Sequence, residues 1–277
     1  MNLMWILICG IAAAIASFTV ADRFVYSGYQ KRAFEIRELA GKQASTVLTE
    51  KDFEILPEPV ARYMRFSGMI GRSRISVVRL WHSGRFRPGA GRPFRPIKGE
   101  YSITTSKPSF CWYGKLTLFP GFTAVAIDQY FEGQGRMQVK VMSSIPVVDA
   151  HSPDLSLSAF GRCIAEMTMA PSFFLDPTRI RWINSDSSSA EFLIQDAGLQ
   201  SRGWLFVRPD GALDKVVVER NYDRGKGLST LERFTGKNAG MMEQDGMKIP
   251  KAFDGFWNLK EGDLHYVHFE VDRFEFV

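Results

Sequence analysis

A chain of 277 residues with 45% apolar residues, 22 of them Phe, holds enough material for a sizeable core, and its formal charge of +5 gives no excess that by itself points to nucleic acid. Its three cysteines, Cys9, Cys111 and Cys163, fall in no metal-like spacing and exclude a disulfide-dense scaffold. One Cys111–Cys163 bridge and two buried thiols both remain open.

The chain begins with an uncharged run of 19 residues, Leu3 to Ala21. As a helix it would span about 28 Å, close to the thickness of bilayer hydrocarbon. A cleavable signal peptide competes, with TVA before Asp22, but nothing basic side-chained precedes the run and it is longer than such peptides need. Residues 1–22 are therefore expected to be an uncleaved single-pass anchor. Arg23, Lys31, Arg32 and Arg37 follow it, so the positive-inside rule puts the body on the cytoplasmic side of the cell (inner) membrane, with the periplasm as the alternative.

Residues 23–48 read as a polar, partly helical stem, in which Phe34, Ile36 and Leu39 are too few for an amphipathic face. The remainder, 49–277, is expected to be one β-rich domain. Thr49 with Asp52 is a helix-start signal, Phe53 and Leu56 forming the apolar side of one short turn. In LPEPVARYM, Leu56 and Glu58 each precede a proline and are pushed out of the helical region. Pro59 suits the first helical position, Val60, Tyr63, Met64 and Ser67 share one face, and Gly68 is placed to end the helix. A docking helix follows from this spacing; the alternative is that Arg62 holds an anionic group.

After Gly71, β-branched and aromatic residues bounded by Gly and Pro predict strands at 74–86, 100–105, 110–118, 122–131 and 136–143. EGQG at 132–135 is a hairpin turn. A helix is expected over 155–169, with Leu157, Phe160, Ile164 and Met167 as its stripe, Pro171 as its stop and Glu166 facing solvent. Strands resume at 179–185, 190–195, 199–207, 213–220, 229–235, 251–259 and 264–277. Short strands without βαβ alternation imply a mainly β (α+β) fold, a large antiparallel meander with one or two helices covering one face.

Catalytic signatures are sparse: the sequence contains no G-x-S-x-G, H-E-x-x-H, C-x-x-C or P-loop. His265 and His268, an odd number apart, should lie on opposite faces of a strand. His268, Glu270 and Asp272 share a face and could bind a metal or shuttle a proton, but with Val267, Phe269 and Val271 opposite, that face reads as solvent. No metal site or cofactor is expected. Between Arg72 and Lys98 lie eight cations and no acid, interleaved with Trp81, Phe86 and Phe94. Beside an anchor, this stretch, Arg92, Arg95 and Lys98 included, suits anionic lipid headgroups better than single-stranded nucleic acid; the alternative is a solvated sheet face paired with acids elsewhere.

LPEPVARY, RLWHSGRF, KPSFCW, YFEGQGRMQVKV with IPVVDA, EMTMAPSFFL and GMKIP, in this order, resemble a bacterial family of unknown function whose members are often single-span membrane proteins. The resemblance covers roughly residues 56–277. It makes Arg79, His82, Trp112, Glu166 and Pro171 part of a recurring pattern and supplies no catalytic residue. The long curved sheet is similar to the half-barrels of bacterial lipoprotein and lipid carriers, a likeness that does not establish function.

These readings converge on a membrane-anchored, non-catalytic binding protein for an apolar ligand, a lipid or acyl chain. Its partners are then membrane lipid and a hydrophobic small molecule, with no nucleic acid. Trp81, Trp112, Tyr130 and Trp257 would line the cleft, with Arg79 and His82 at its mouth. The alternatives are a scaffold module for a protein partner, or an enzyme using His268, Glu270 and Asp272, or Glu166.

Overall fold

The computed structural model describes residues 3–40 and 46–276. Helix α1 (Leu3–Glu38) runs without a break through the boundary expected at residue 22. Val25, Tyr29, Ala33 and Ile36 recur along one face of it and are buried against Cys111, Tyr113 and Val125 of the sheet. What reads as a stem is thus a docked helix, and Phe34 points away from the contact, 55% exposed. Polar pairs flank the stripe. Tyr26 and Gln30 donate to Glu100, Arg37 donates to Ser102, and Asp22 takes Lys115 at 2.8 Å.

The short α2 (Glu50–Phe53) starts on the Thr49–Asp52 capping box. Helix α3 (Glu58–Phe66) buries Val60, Tyr63 and Met64 together with Ser67, as the spacing requires, and starts one residue before Pro59. It ends at Gly68, whose φ of 74° and whose distance of 2.4 Å from a would-be Cβ to the Gly246 carbonyl oxygen admit no side chain.

The body is one curved, antiparallel sheet of 13 strands. Six strands form the first meander: β1 (Val77–Phe86), β2 (Arg95–Thr104), β3 (Ser109–Phe119), β4 (Phe122–Phe131), β5 (Gln134–Val141) and β6 (Ile145–Ala150). Helix α4 (Pro153–Glu166) and the 3-10 turns Met167–Met169 and Pro171–Leu175 follow. The second meander is β7 (Ile180–Ser185), β8 (Ser189–Asp196), β9 (Leu199–Val207), β10 (Leu213–Gly225), β11 (Leu228–Gln244), β12 (Met247–Leu259) and β13 (Gly262–Phe276). First and last strands pair in the middle, β1 with β13, so β6 and β7 are the two edges. The link from one edge to the other must cross the whole sheet, and that crossing lays α4 in the concave groove of the half-barrel.

Period-two alternation assigns the faces. Val78, Leu80 and His82 of β1, Ile97 and Tyr101 of β2, and Phe110 and Trp112 of β3 point to the concave side. There they meet α4, α3 and the 3-10 turns in the main core. Residues of opposite parity meet α1 or solvent. Helices thus cover both faces rather than one. Cys111 lies under α1 and Cys163 on α4, both free and buried in separate clusters. Strand β6 has no counterpart among the expected strands, β2 begins at Arg95 instead of residue 100, β11 runs on past residue 235 to Gln244, and β12 begins at Met247 instead of residue 251. The register of the last pair shifts at Gly240, which lets Pro250 sit opposite Met241.

Candidate functional site

Between α4 and the concave face lies a cavity of about 220 Å3. Its walls are mostly apolar: Phe86, Ile97 and Leu116 at one end, Met137 and Val139 of β5, and Phe253 and Phe269 of the central strands. Room is left because several inward positions carry little or no side chain, among them Gly114, Ala124, Ala126 and Ala165. An apolar cavity of about 150 Å3 is enough to hold benzene, so this volume takes a larger hydrocarbon group.

Four charged residues enter this apolar space. Arg162 of α4 donates to Asp128 of β4 and to the Tyr101 hydroxyl, and Tyr101 donates to Glu166 at 2.8 Å. The Arg162 guanidinium lies over the rings of Tyr101, Phe110 and Trp112, 4.8–5.3 Å from their centroids. Burial opposes its charge, yet Tyr101, Asp128 and Glu166 hold it protonated above the ordinary arginine range. Burial pushes the Glu166 carboxyl above its ordinary value against the pull of Arg162 and Tyr101. Asp128 is 4% exposed, and among the described residues its Oδ1 has no hydrogen-bond partner.

Arg220 of β10 is the fourth. Its Nε donates to the Ser158 carbonyl at 3.0 Å, and its guanidinium lies over Phe234 and Trp257. Among the described residues neither Nη atom has a hydrogen bond and the side chain has no carboxylate partner. Burial, reinforced by Arg162, pulls its pKa down to about 10. Two guanidiniums, Arg162 and Arg220, thus share this apolar-walled space with two carboxyl groups, Asp128 and Glu166.

The residues expected at the site are dispersed. Trp112 lines the cavity. His82 stands behind it and accepts from Trp112 Nε1 at 2.8 Å; burial lowers its pKa to about 3, so it is neutral. The two rings, on β1 and β3, meet across Gly99 of β2, where a Cβ would lie 2.7 Å from His82 and 2.9 Å from Trp112. Tyr130 is fully buried beside Phe160 and donates to Asp196, and Trp257 packs edge-on against Tyr222 and Phe234 behind Arg220. Arg79 and Trp81 are on the opposite face, where Trp81 lies between Arg79 and Arg273 and Arg79 pairs with Glu275. Odd spacing separates Arg79 from His82 as β alternation demands.

Glu166, expected in solvent, faces the cavity. Arg62 is occupied by Glu58 and by the carbonyls of Arg208 and Ser187 and serves as a clamp between α3 and the loops beside it. His265 and His268 do not lie apart: the register of β12 and β13 shifts at Gly255/Phe256, and both imidazoles come within 2.9 Å of Asp254 Oδ1. Asp272 stays outside this group and accepts from Ser83. Among the described residues no group of three or more His, Cys, Asp or Glu is arranged to hold a metal ion.

A comparison with known families matches residues 46–269 to a family of unknown function (DUF6544), and the chain belongs to that family. No curated protein matches it. Among solved structures it is similar to a DUF1329 family protein from Desulfovibrio piger, at 12% identity over 83% of this chain and 94% of that one, TM-score 0.39. A LolA superfamily protein from Nitrosomonas europaea matches at 11% identity over 78% and 92%, TM-score 0.41. A domain assigned to outer membrane lipoprotein sorting from Vibrio parahaemolyticus matches at 12% identity over 82% and 92%, TM-score 0.40.

Proposed function

We propose that this member of the family is a membrane-anchored binding protein that holds an apolar ligand, a lipid or acyl chain, in the concave cavity and performs no chemistry on it. The observation that carries the reading is the pairing of an apolar-walled cavity with a half-buried guanidinium, Arg220, whose Nη atoms have no hydrogen-bond partner among the described residues. A hydrocarbon chain satisfies the walls, and an anionic group on the same molecule satisfies Arg220. Helix α1 is long and apolar enough to cross a membrane and serves as the anchor. The cations that follow the apolar run favour, by the positive-inside rule, a body on the cytoplasmic side. An impermeant thiol reagent applied to intact cells carrying Ala90→Cys reads that side, and labelling without lysis would place it outside.

Nitroxide-labelled fatty acid tests the binding reading. Added to the reconstituted protein, it should quench tryptophan emission saturably, because Trp112 lines the cavity, and Ala126→Phe should abolish the saturable part. Quenching that rises linearly, or is untouched by Ala126→Phe, overturns it.

A further inference from the structure

We infer that the hairpin tips beside α1 rest in the bilayer interface, with an anionic membrane surface as their partner, so that one end of the cavity is held at the membrane. The inference rests on the reading of α1 as a membrane anchor. Asp22, the first charged residue after the apolar run, is bonded twice to the sheet: Lys115 Nζ of β3 donates to it at 2.8 Å and Ser143 Oγ of the β5–β6 turn at 2.7 Å. The sheet is thus fastened to α1 at the point where α1 would leave the hydrocarbon.

Both fastened elements continue into exposed apolar groups. Two residues past Ser143 begins β6, whose Ile145 and Val147 are 57% and 55% exposed. Strand β3 continues four residues past Lys115, about 13 Å at strand rise, to a tip where Phe119 and Phe122 stack at 4.3 Å with both rings about half exposed. Stacked exposed aromatics on a hairpin tip suit the headgroup–acyl boundary, where aromatic side chains collect. On the next hairpin, Lys98 pairs across the strands with Lys115, and Arg95 and Arg92 lie beyond it. All three are exposed, and among the described residues none has a carboxylate partner, so an anionic surface completes them.

The cavity reaches the same end. Phe86 closes β1, Leu116 lies three residues before Phe119, and Ala124 lies two after Phe122. Seating these tips in the interface turns the apolar end of the cavity toward the bilayer and leaves Arg162, Glu166 and Arg220 deeper. A ligand then passes from bilayer to cavity without crossing water.

Depth-dependent quenching tests this on the full-length chain in vesicles containing about 30% anionic lipid. In a Cys9→Ser background, a polarity-sensitive dye is placed singly by Phe119→Cys, Ser17→Cys or Glu132→Cys, the last at the opposite end of β4. Lipid with a nitroxide near the glycerol should quench the dye at positions 119 and 17 about twofold and leave position 132 unchanged. Charge reversal of Arg92, Arg95 and Lys98 together should reduce quenching at position 119 in anionic vesicles and not in neutral ones. Quenching at position 17 without quenching at 119 overturns this inference and spares the anchor. No quenching at either position overturns both.

Discussion

At the residue scale, the meeting of His82 and Trp112 depends on an absence. Gly99 between them has no side chain, and a methyl group there would collide with both rings and with the Tyr113 carbonyl oxygen at 2.4 Å. Gly99→Ala is expected to cost about 1–3 kcal/mol of unfolding free energy in denaturant titration, whereas Gly89→Ala in the open loop should be near neutral. Two buried groups set opposite pH dependences. The depressed pKa of His82, about 3, means that its contribution is present above pH 6.5 and is lost as pH falls toward 3. At about 1.4 kcal/mol per unit this amounts to a few kcal/mol, and His82→Gln, which can still accept from Trp112, should flatten that acid limb. Glu166 works the other way. Its pKa is raised above 4.5, so its contribution is full below that value and is lost as pH rises through the raised one. Glu166→Gln should remove this decline in melting temperature. The four charges were nearly invisible in the sequence because they come from α4, β4 and β10. The signal that could have found them is parity: Asp128 shares its face with Ala124, Ala126 and Tyr130, and Arg220 shares its face with Val216 and Val218. On α4, Arg162 and Glu166 have the i, i+4 spacing of any exposed ion pair.

At the element scale, strand and helix identities were legible because alternation and helical stripes are local patterns. What was not legible depended on partners. Strand β6 has a polar-poor, proline-containing sequence with no buried face, and it exists because β5 offers an edge. The docked part of α1 hides its stripe among small and polar residues, and Ala33 becomes a core residue only through the cluster it joins with residues of the sheet. The docking has a measurable consequence. A chain beginning at residue 22 retains Val25, Tyr29, Ala33 and Ile36, whereas one beginning at residue 46 uncovers Cys111, Tyr113 and Val125. The shorter chain should unfold with a free energy lower by on the order of 5 kcal/mol, from the apolar area exposed, read as an earlier urea midpoint. Equal midpoints would show that α1 contributes nothing to the body.

At the scale of the whole molecule, the half-barrel and the long crossover explain each other. Pairing β1 with β13 puts β6 and β7 at opposite edges, and the connection between them brings α4 over the groove and creates the cavity. The long apolar N-terminal helix and the sheet were legible in the sequence, but this closure was not, since nothing local in β1 or β13 specifies the other. The central claim is that the cavity holds an apolar ligand. Native mass spectrometry of the full-length chain released from its own membranes tests it most directly, compared with Ala126→Phe prepared in parallel. The account predicts an adduct in the mass range of a lipid or fatty acid on the native chain and its loss from Ala126→Phe. A bare chain in both preparations, or an adduct that Ala126→Phe retains, would contradict it.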